Sequence, residues 1–280
     1  MRRITLLTNP DVCNLRCPLC FLNQRKRAFG MGEMQIETAK RAIDRYAGAG
    51  PLSPDGLREV IPSTMGEPLL YTYFGELLDY CCERHLPLNL TTNGTFPGFW
   101  GTDAGMERLL TACSDIKVSC MAFDEESFAK MMPGITFDRW RENVLRLLLQ
   151  GVGSVSLQVT LSKMLVPKAV EILSWAESVG IRRIKWNLPV FLSMDSTLRR
   201  AYGLDVSTVC ELREILVSEK VRCEGSLFFD GGEKCRFLGE EVWVLPDGTE
   251  ETCPNPERRF GDRDSAGAKC EGCLLLHPFA

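Results

Sequence analysis

The chain has 280 residues, 45% of them hydrophobic, with 33 basic and 37 acidic side chains and a net charge of −4. That length suits one large α/β domain, or a domain with a small appendage, and the apolar content suffices for a sizeable core. The near-balanced charge excludes a nucleic-acid footprint, because Arg25-Lys26-Arg27 is too short a basic run, and no apolar stretch is long enough to span a bilayer. Met1-Arg2-Arg3-Ile4 leads straight into a strand-like run without a signal peptide, so a cytoplasmic, reducing location is expected. There the 13 cysteines are expected to be metal ligands or catalytic groups rather than disulfides.

Strand-like and helix-like segments alternate along the chain. Ile4–Leu7 reads as a strand, Glu37–Tyr46 as a helix, Leu57–Ile61 as a strand and Phe74–Cys82 as a helix. Leu86–Thr92 and Ile116–Met121 read as strands on either side of a helix near Met106–Cys113. Phe137–Gln150 is a strongly apolar helix, and Val155–Leu161 a β-branched strand. Pro167–Val179 is a helix with Pro in its first turn, followed by a strand at Ile181–Asn187 and a helix at Val206–Glu219. Six βα units in order predict an α/β fold with a parallel sheet, a partial (β/α)6 TIM-like barrel over residues 1–222. Glu241–Thr249 reads as a hairpin with a Pro-Asp-Gly turn, inside a small C-terminal unit over residues 223–280.

Cys13, Cys17 and Cys20 carry the chemistry. Three residues separate the first pair and two the second, so three thiolates on one loop can face one inorganic centre. Clusters held by protein alone normally take four cysteines, which leaves this centre one ligand short and open to a substrate or cofactor. A zinc knuckle or a disulfide cluster is the alternative for the same spacing. Gly66-Glu67-Pro68 follows the second strand, and Thr91-Thr92-Asn93-Gly94 ends the third.

The cysteine run resembles the signature of the radical S-adenosylmethionine (radical SAM) superfamily. The resemblance implies that Cys13, Cys17 and Cys20 hold a 4Fe–4S cluster, whose fourth iron takes the amino and carboxylate groups of SAM. Reductive cleavage of SAM would then give a 5′-deoxyadenosyl radical that abstracts hydrogen from a C–H bond. Gly66-Glu67-Pro68 resembles the motif that binds the methionyl amino group, through carbonyls and a carboxylate. Thr92, Asn93 and Ser119 match further positions that face SAM in the family, and Gln158 or Thr160 and Asn187 are candidate contacts by their place at strand ends, where parallel barrels keep their active sites. One departure stands out: Leu19 occupies the position before the third cysteine, usually aromatic in the family, and Phe21 is the aromatic residue nearby.

Cys235, Cys253, Cys270 and Cys273 form a second set that resembles the Twitch domain, a short form of the SPASM extension. They are expected to saturate an auxiliary 4Fe–4S cluster, with a structural zinc ribbon as the alternative and His277 as a nearby possible ligand. Cys81, Cys82, Cys113 and Cys210 read as small hydrophobes in helical patterns. Cys223, near the cavity mouth, and Cys120, of outward parity on its strand, are the candidate hydrogen-atom donors.

Three functions follow. The main reading is epimerisation or dehydrogenation of a sugar or aminocyclitol-type natural product. The alternative is maturation of a ribosomally made peptide by a thioether, a carbon–carbon crosslink or an epimerised residue. Only twelve residues precede Cys13, so a leading peptide-recognition domain is expected to be absent or on another polypeptide. A non-catalytic metal-binding redox scaffold is the third reading. The implied partners are a small-molecule or peptide substrate and an external one-electron donor such as flavodoxin or ferredoxin, with neither nucleic acid nor membrane.

Overall fold

Apolar and polar residues alternate along most strands, and the register turns that alternation into two chemically distinct faces. The computed structural model describes residues 2–25, 28–48, 56–63, 65–151, 153–191, 196–229 and 239–253. Nine strands form one sheet among the described residues: β1 (Arg3–Leu6), β2 (Glu59–Pro62), β3 (Leu88–Thr92), β4 (Cys113–Cys120), β5 (Val155–Thr160), β6 (Arg183–Asn187), β7 (Arg222–Glu224), β8 (Glu241–Val244) and β9 (Glu250–Glu251). Their order is β7-β6-β5-β4-β3-β2-β1-β8-β9. All neighbours are parallel except the β8–β9 hairpin. This is the α/β partial barrel expected, with an open sheet.

Successive side chains point to opposite faces, and in-register partners share one. Ile4, Val60, Leu88, Ile116, Val118, Leu157, Val159, Ile184 and Trp186 are all fully buried on the outer face. The helices cover it: α2 (Ile36–Ala47), α3 (Phe74–Glu83), α4 (Asp103–Ala112), α6 (Phe137–Gln150) and α7 (Ala169–Ser178) supply Ile43, Leu77, Met106, Trp140 and Ile172, each at or below 1% exposure. Two helices are capped by a threonine in the way their sequences suggest: Thr102 and Thr136 accept hydrogen bonds from Gly105 N and Arg139 N.

The inner face is polar. Arg3, Glu59, Asn89, Asp115, Lys117, Ser156, Lys185 and Glu224 lie on it, strand by strand. Arg3 Nε lies 2.7 Å from Glu59, Asn89 Nδ2 donates to Glu59 at 2.8 Å, and Asp115 takes Ser156 Oγ at 2.7 Å, Lys117 Nζ at 3.3 Å and Arg183. Burial pulls the Lys117 ammonium down to about 8, against the pull of Asp115.

The six expected strands and six expected helices are present within a few residues. The structure adds two short helices that sequence patterning did not mark, α5 (Glu125–Met131) and α8 (Ser196–Tyr202), along with α1 (Phe21–Gln24), while α9 (Val206–Ile215) stops short of the expected end. The expected hairpin is present, and β8 also runs parallel to β1, pairing Ile4 with Val242 and Leu6 with Val244. All four β8 residues are buried as a result, where an isolated hairpin would leave one face wet. Among the described residues no helix is long and apolar enough to cross a membrane.

Candidate active site at the cysteine loop

The cysteine loop leaves β1 and is anchored at several points. Met34 N donates to Thr8 O at 2.7 Å. Asn9, fully buried, accepts from Thr8 Oγ1 at 2.8 Å and donates from Nδ2 to Glu67 O at 2.7 Å. The Asp11 carboxylate accepts from Phe29 N and Gly30 N, both at 2.8 Å, and pairs with Arg25. Burial pulls that carboxyl up, but the two N–H groups and Arg25 outweigh it and hold it below its ordinary value. Farther along, Asn23 Nδ2 donates to Cys17 O at 2.6 Å, and Gln24 Nε2 reaches both Leu19 O at 2.7 Å and Val190 O at 3.1 Å beyond β6.

Cys17 is buried, and Cys13 and Cys20 are half-buried. Burial pushes the Cys17 thiol up to about 12, and the neighbouring Cys20 and Cys13 add to the rise, so the three sulfurs lie within electrostatic reach of one another. Among the described residues, no three His, Cys, Asp or Glu side chains converge tightly enough for a single metal ion.

The Gly66-Glu67-Pro68 motif packs directly against this loop. Gly66 has φ +80°, and a Cβ there would run into the carbonyl oxygens of Asn9 and Val12, so the position requires glycine. Glu67 N donates to Val12 O at 2.8 Å. The Glu67 side chain accepts at Oε1 from Thr92 Oγ1 (2.7 Å) and Leu69 N (3.3 Å), and at Oε2 from Asn93 N (2.8 Å). Burial raises its carboxyl to about 7 despite these three donors. A carboxylate offers roughly four acceptor sites. Two are spent on tying this motif to the end of β3, a third caps the Pro68–Leu70 turn through Leu69 N, and one on Oε2 remains. Pro68 opens a buried single turn, Pro68–Leu70.

The structure brings several expected residues together and separates others. Asn93 and Cys13 are neighbours across the loop, with Nδ2 3.7 Å from Sγ. Ser119 and Gln158 are register partners on the inner face, half-buried. Asn187 pairs with Thr160, and its Oδ1 accepts from Ser226 N at 3.3 Å. Leu19 is buried in the main core, whereas Phe21 packs on a separate cluster of Leu7, Met65, Trp243 and Leu245. Cys120 lies on the outer face with Val118, fully buried, its thiol donating to Ala122 O at 3.2 Å. Cys223 is the register partner of Ile184 and shares that outer face. Both thiols therefore point away from Ser119 and Gln158. Cys253 is half-buried just past β9, and Cys235, Cys270, Cys273 and His277 lie outside the described residues. Asn9, Asn14 and Thr95 belong to the site and escaped sequence reasoning. No local motif marks Asn14 or Thr95, and the Asn9-Pro10 step, a turn signal, is what could have drawn attention to Asn9.

The sequence model of the radical SAM superfamily matches residues 10–176, more than half of the chain. The chain belongs to the radical SAM superfamily. Members use a 4Fe–4S cluster with SAM, and the cysteine loop of this radical SAM enzyme fits that cluster by donor set and placement. When bound, the cluster supplies one-electron reduction of SAM for hydrogen-atom abstraction. Among curated relatives, the chain is 31% identical over 83 residues to the antilisterial bacteriocin subtilosin biosynthesis protein AlbA of Bacillus subtilis (strain 168). That segment is 30% of this chain and only 16% of AlbA. In fold, the radical SAM enzyme is similar to SuiB of Streptococcus suis bound to the precursor peptide SuiA, with TM-score 0.70 and 17% identity over 98% of this chain and 70% of SuiB. It is also similar to anSMEcpe with bound AdoMet and Cp18Cys peptide, with TM-score 0.65 and 14% identity over 98% of this chain and 87% of that one.

Proposed function

We propose that this radical SAM enzyme matures a peptide, installing a thioether, a carbon–carbon crosslink or an epimerised residue. The 31% identity to a bacteriocin biosynthesis protein carries the reading. The fold shared with SuiB and anSMEcpe, each solved with a peptide, supports it. These relatives favour a peptide over the sugar or aminocyclitol substrate that spare cysteines and mild acidity suggested.

In this reading Cys13, Cys17 and Cys20 hold the cluster and leave it open to SAM. The Gly66–Pro68 turn and the remaining Glu67 acceptor receive the methionyl ammonium, with Ser119, Gln158 and Asn187 at the strand ends on the side of the remaining SAM groups. Residues 223–280 form a Twitch-type unit in which Cys235, Cys253, Cys270 and Cys273 bind an auxiliary cluster, and a flavodoxin or ferredoxin delivers electrons.

The test is incubation of the reduced, iron-loaded protein with SAM and two substrate sets: short peptides encoded beside its gene, and aminocyclitol sugars. A peptide that loses the mass of two hydrogen atoms, or takes up deuterium from heavy water at an inverted α-carbon, is the expected result. Unchanged peptides with an oxidised or epimerised aminocyclitol would overturn the reading.

A further inference from the structure

Asn93 makes a contact that its place in a turn does not require. Its Oδ1 accepts from Thr95 N at 2.9 Å and from Thr95 Oγ1 at 2.7 Å. A backbone N–H can only donate, so the amide orientation is fixed by this bond and Nδ2 must face the other way. There it meets Asn14 Oδ1 at 2.9 Å and Cys13 Sγ at 3.7 Å. Cys13 Sγ accepts a second bond from Leu15 N at 3.4 Å. Asn14 is itself held, with its Nδ2 donating to Thr95 Oγ1 at 2.9 Å. The Asn93 backbone is pinned from behind by Glu67 Oε2. The side chain is thus locked at both ends and aimed at one sulfur.

We propose that Asn93 is a positioning residue that donates a hydrogen bond to the Cys13 sulfur and thereby raises the reduction potential of the cluster this cysteine helps to hold. The proposal rests on the reading of Cys13, Cys17 and Cys20 as cluster ligands. Its physical basis is that reduction adds negative charge to the cluster and its thiolates, and a donor aimed at a sulfur stabilises the reduced form more than the oxidised one. The amide is also the covalent continuation of the β3 end that Glu67 holds. The Gly-Glu-Pro turn and the cysteine loop therefore keep a fixed spacing through one residue.

The test compares wild type with Asn93→Ser and Asn93→Asp in the anaerobically reconstituted protein. Iron and sulfide are assayed first. The midpoint potential is then read by electron paramagnetic resonance, on the signal that changes when SAM is added, which isolates the SAM-binding cluster from any other. Ser keeps an acceptor for the Thr95 N–H but does not reach Cys13, and Asp keeps the shape while losing the donor. Both Asn93 variants should keep their iron and show this signal at lower potential, Asp lowest because it adds charge. Equal potentials in wild type and both Asn93 variants would overturn the proposal. So would loss of iron from both Asn93 variants, since that makes the residue a loop anchor only. Wild-type protein with no SAM-responsive cluster would instead remove the cluster reading itself.

Discussion

Glu67 shows how far a motif residue's role can be read from its neighbours. The resemblance implies an ammonium ligand here, whereas the structure commits three of its acceptor sites to Leu69, Thr92 and Asn93. Burial raises its folded carboxyl to about 7 from an unfolded value near 4.5. Its stability contribution is therefore fully present below the unfolded value and is lost as pH rises through about 7. The metal-free protein should accordingly lose stability to denaturant between about pH 5 and about pH 7, and Glu67→Gln should flatten that slope. The same variant turns an amide N–H2 toward a donor, at a cost of about 1–3 kcal/mol near neutral pH. Urea unfolding across that range checks both effects, and an unchanged slope in Glu67→Gln would assign the pH dependence elsewhere. At this scale the cluster cysteines were legible because their spacing is local. The Asn93–Cys13 contact was not, because residues 80 positions apart meet only through β-strand placement. Cys223 likewise kept its strand but not its expected outlook, since parity on β7 is set by the register with Ile184.

Among the elements, β4 carries the most telling arrangement. Asp115 and Lys117 both face inward, each under 8% exposed at the side chain, with Asp115 also bound to Ser156 and Arg183. The two partners are not equivalent. Asp115→Ala strands a buried ammonium and should cost about 3–5 kcal/mol. Lys117→Met leaves Asp115 with Arg183 and Ser156 and removes a desolvated charge, so it should cost less than half as much. Thermal unfolding of the two variants decides this, and equal losses would contradict the assignment. The strands that sequence reading located are those with a clean apolar row, such as Val155, Leu157 and Val159 on β5. The helices α5 and α8 went unmarked because seven residues hold barely two turns of periodicity.

For the whole molecule, the decisive pairing is β8 against β1, 236 residues apart where Thr5 Oγ1 donates to Glu241 Oε1 at 2.7 Å. It makes β1 an interior strand with fully buried Ile4 and Leu6, and leaves β7 and β9 at the edges. Amide exchange should therefore be slowest in β1 and fastest at Arg222–Glu224 and Glu250–Glu251, and early exchange of Thr5 and Leu6 would contradict the topology. The order of βα units was legible from local alternation, but the return of a C-terminal strand to the first one was not, because nothing in a hairpin sequence names its third partner. The open sheet, the glycine-dependent Gly66–Pro68 turn and the three loop cysteines together make SAM cleavage the central claim. The most direct test is the yield of 5′-deoxyadenosine from SAM by the reduced, reconstituted protein, beside a variant with Cys13, Cys17 and Cys20 all changed to Ala. The account predicts product from the wild type and none from the variant. Product that persists without the three cysteines would contradict it.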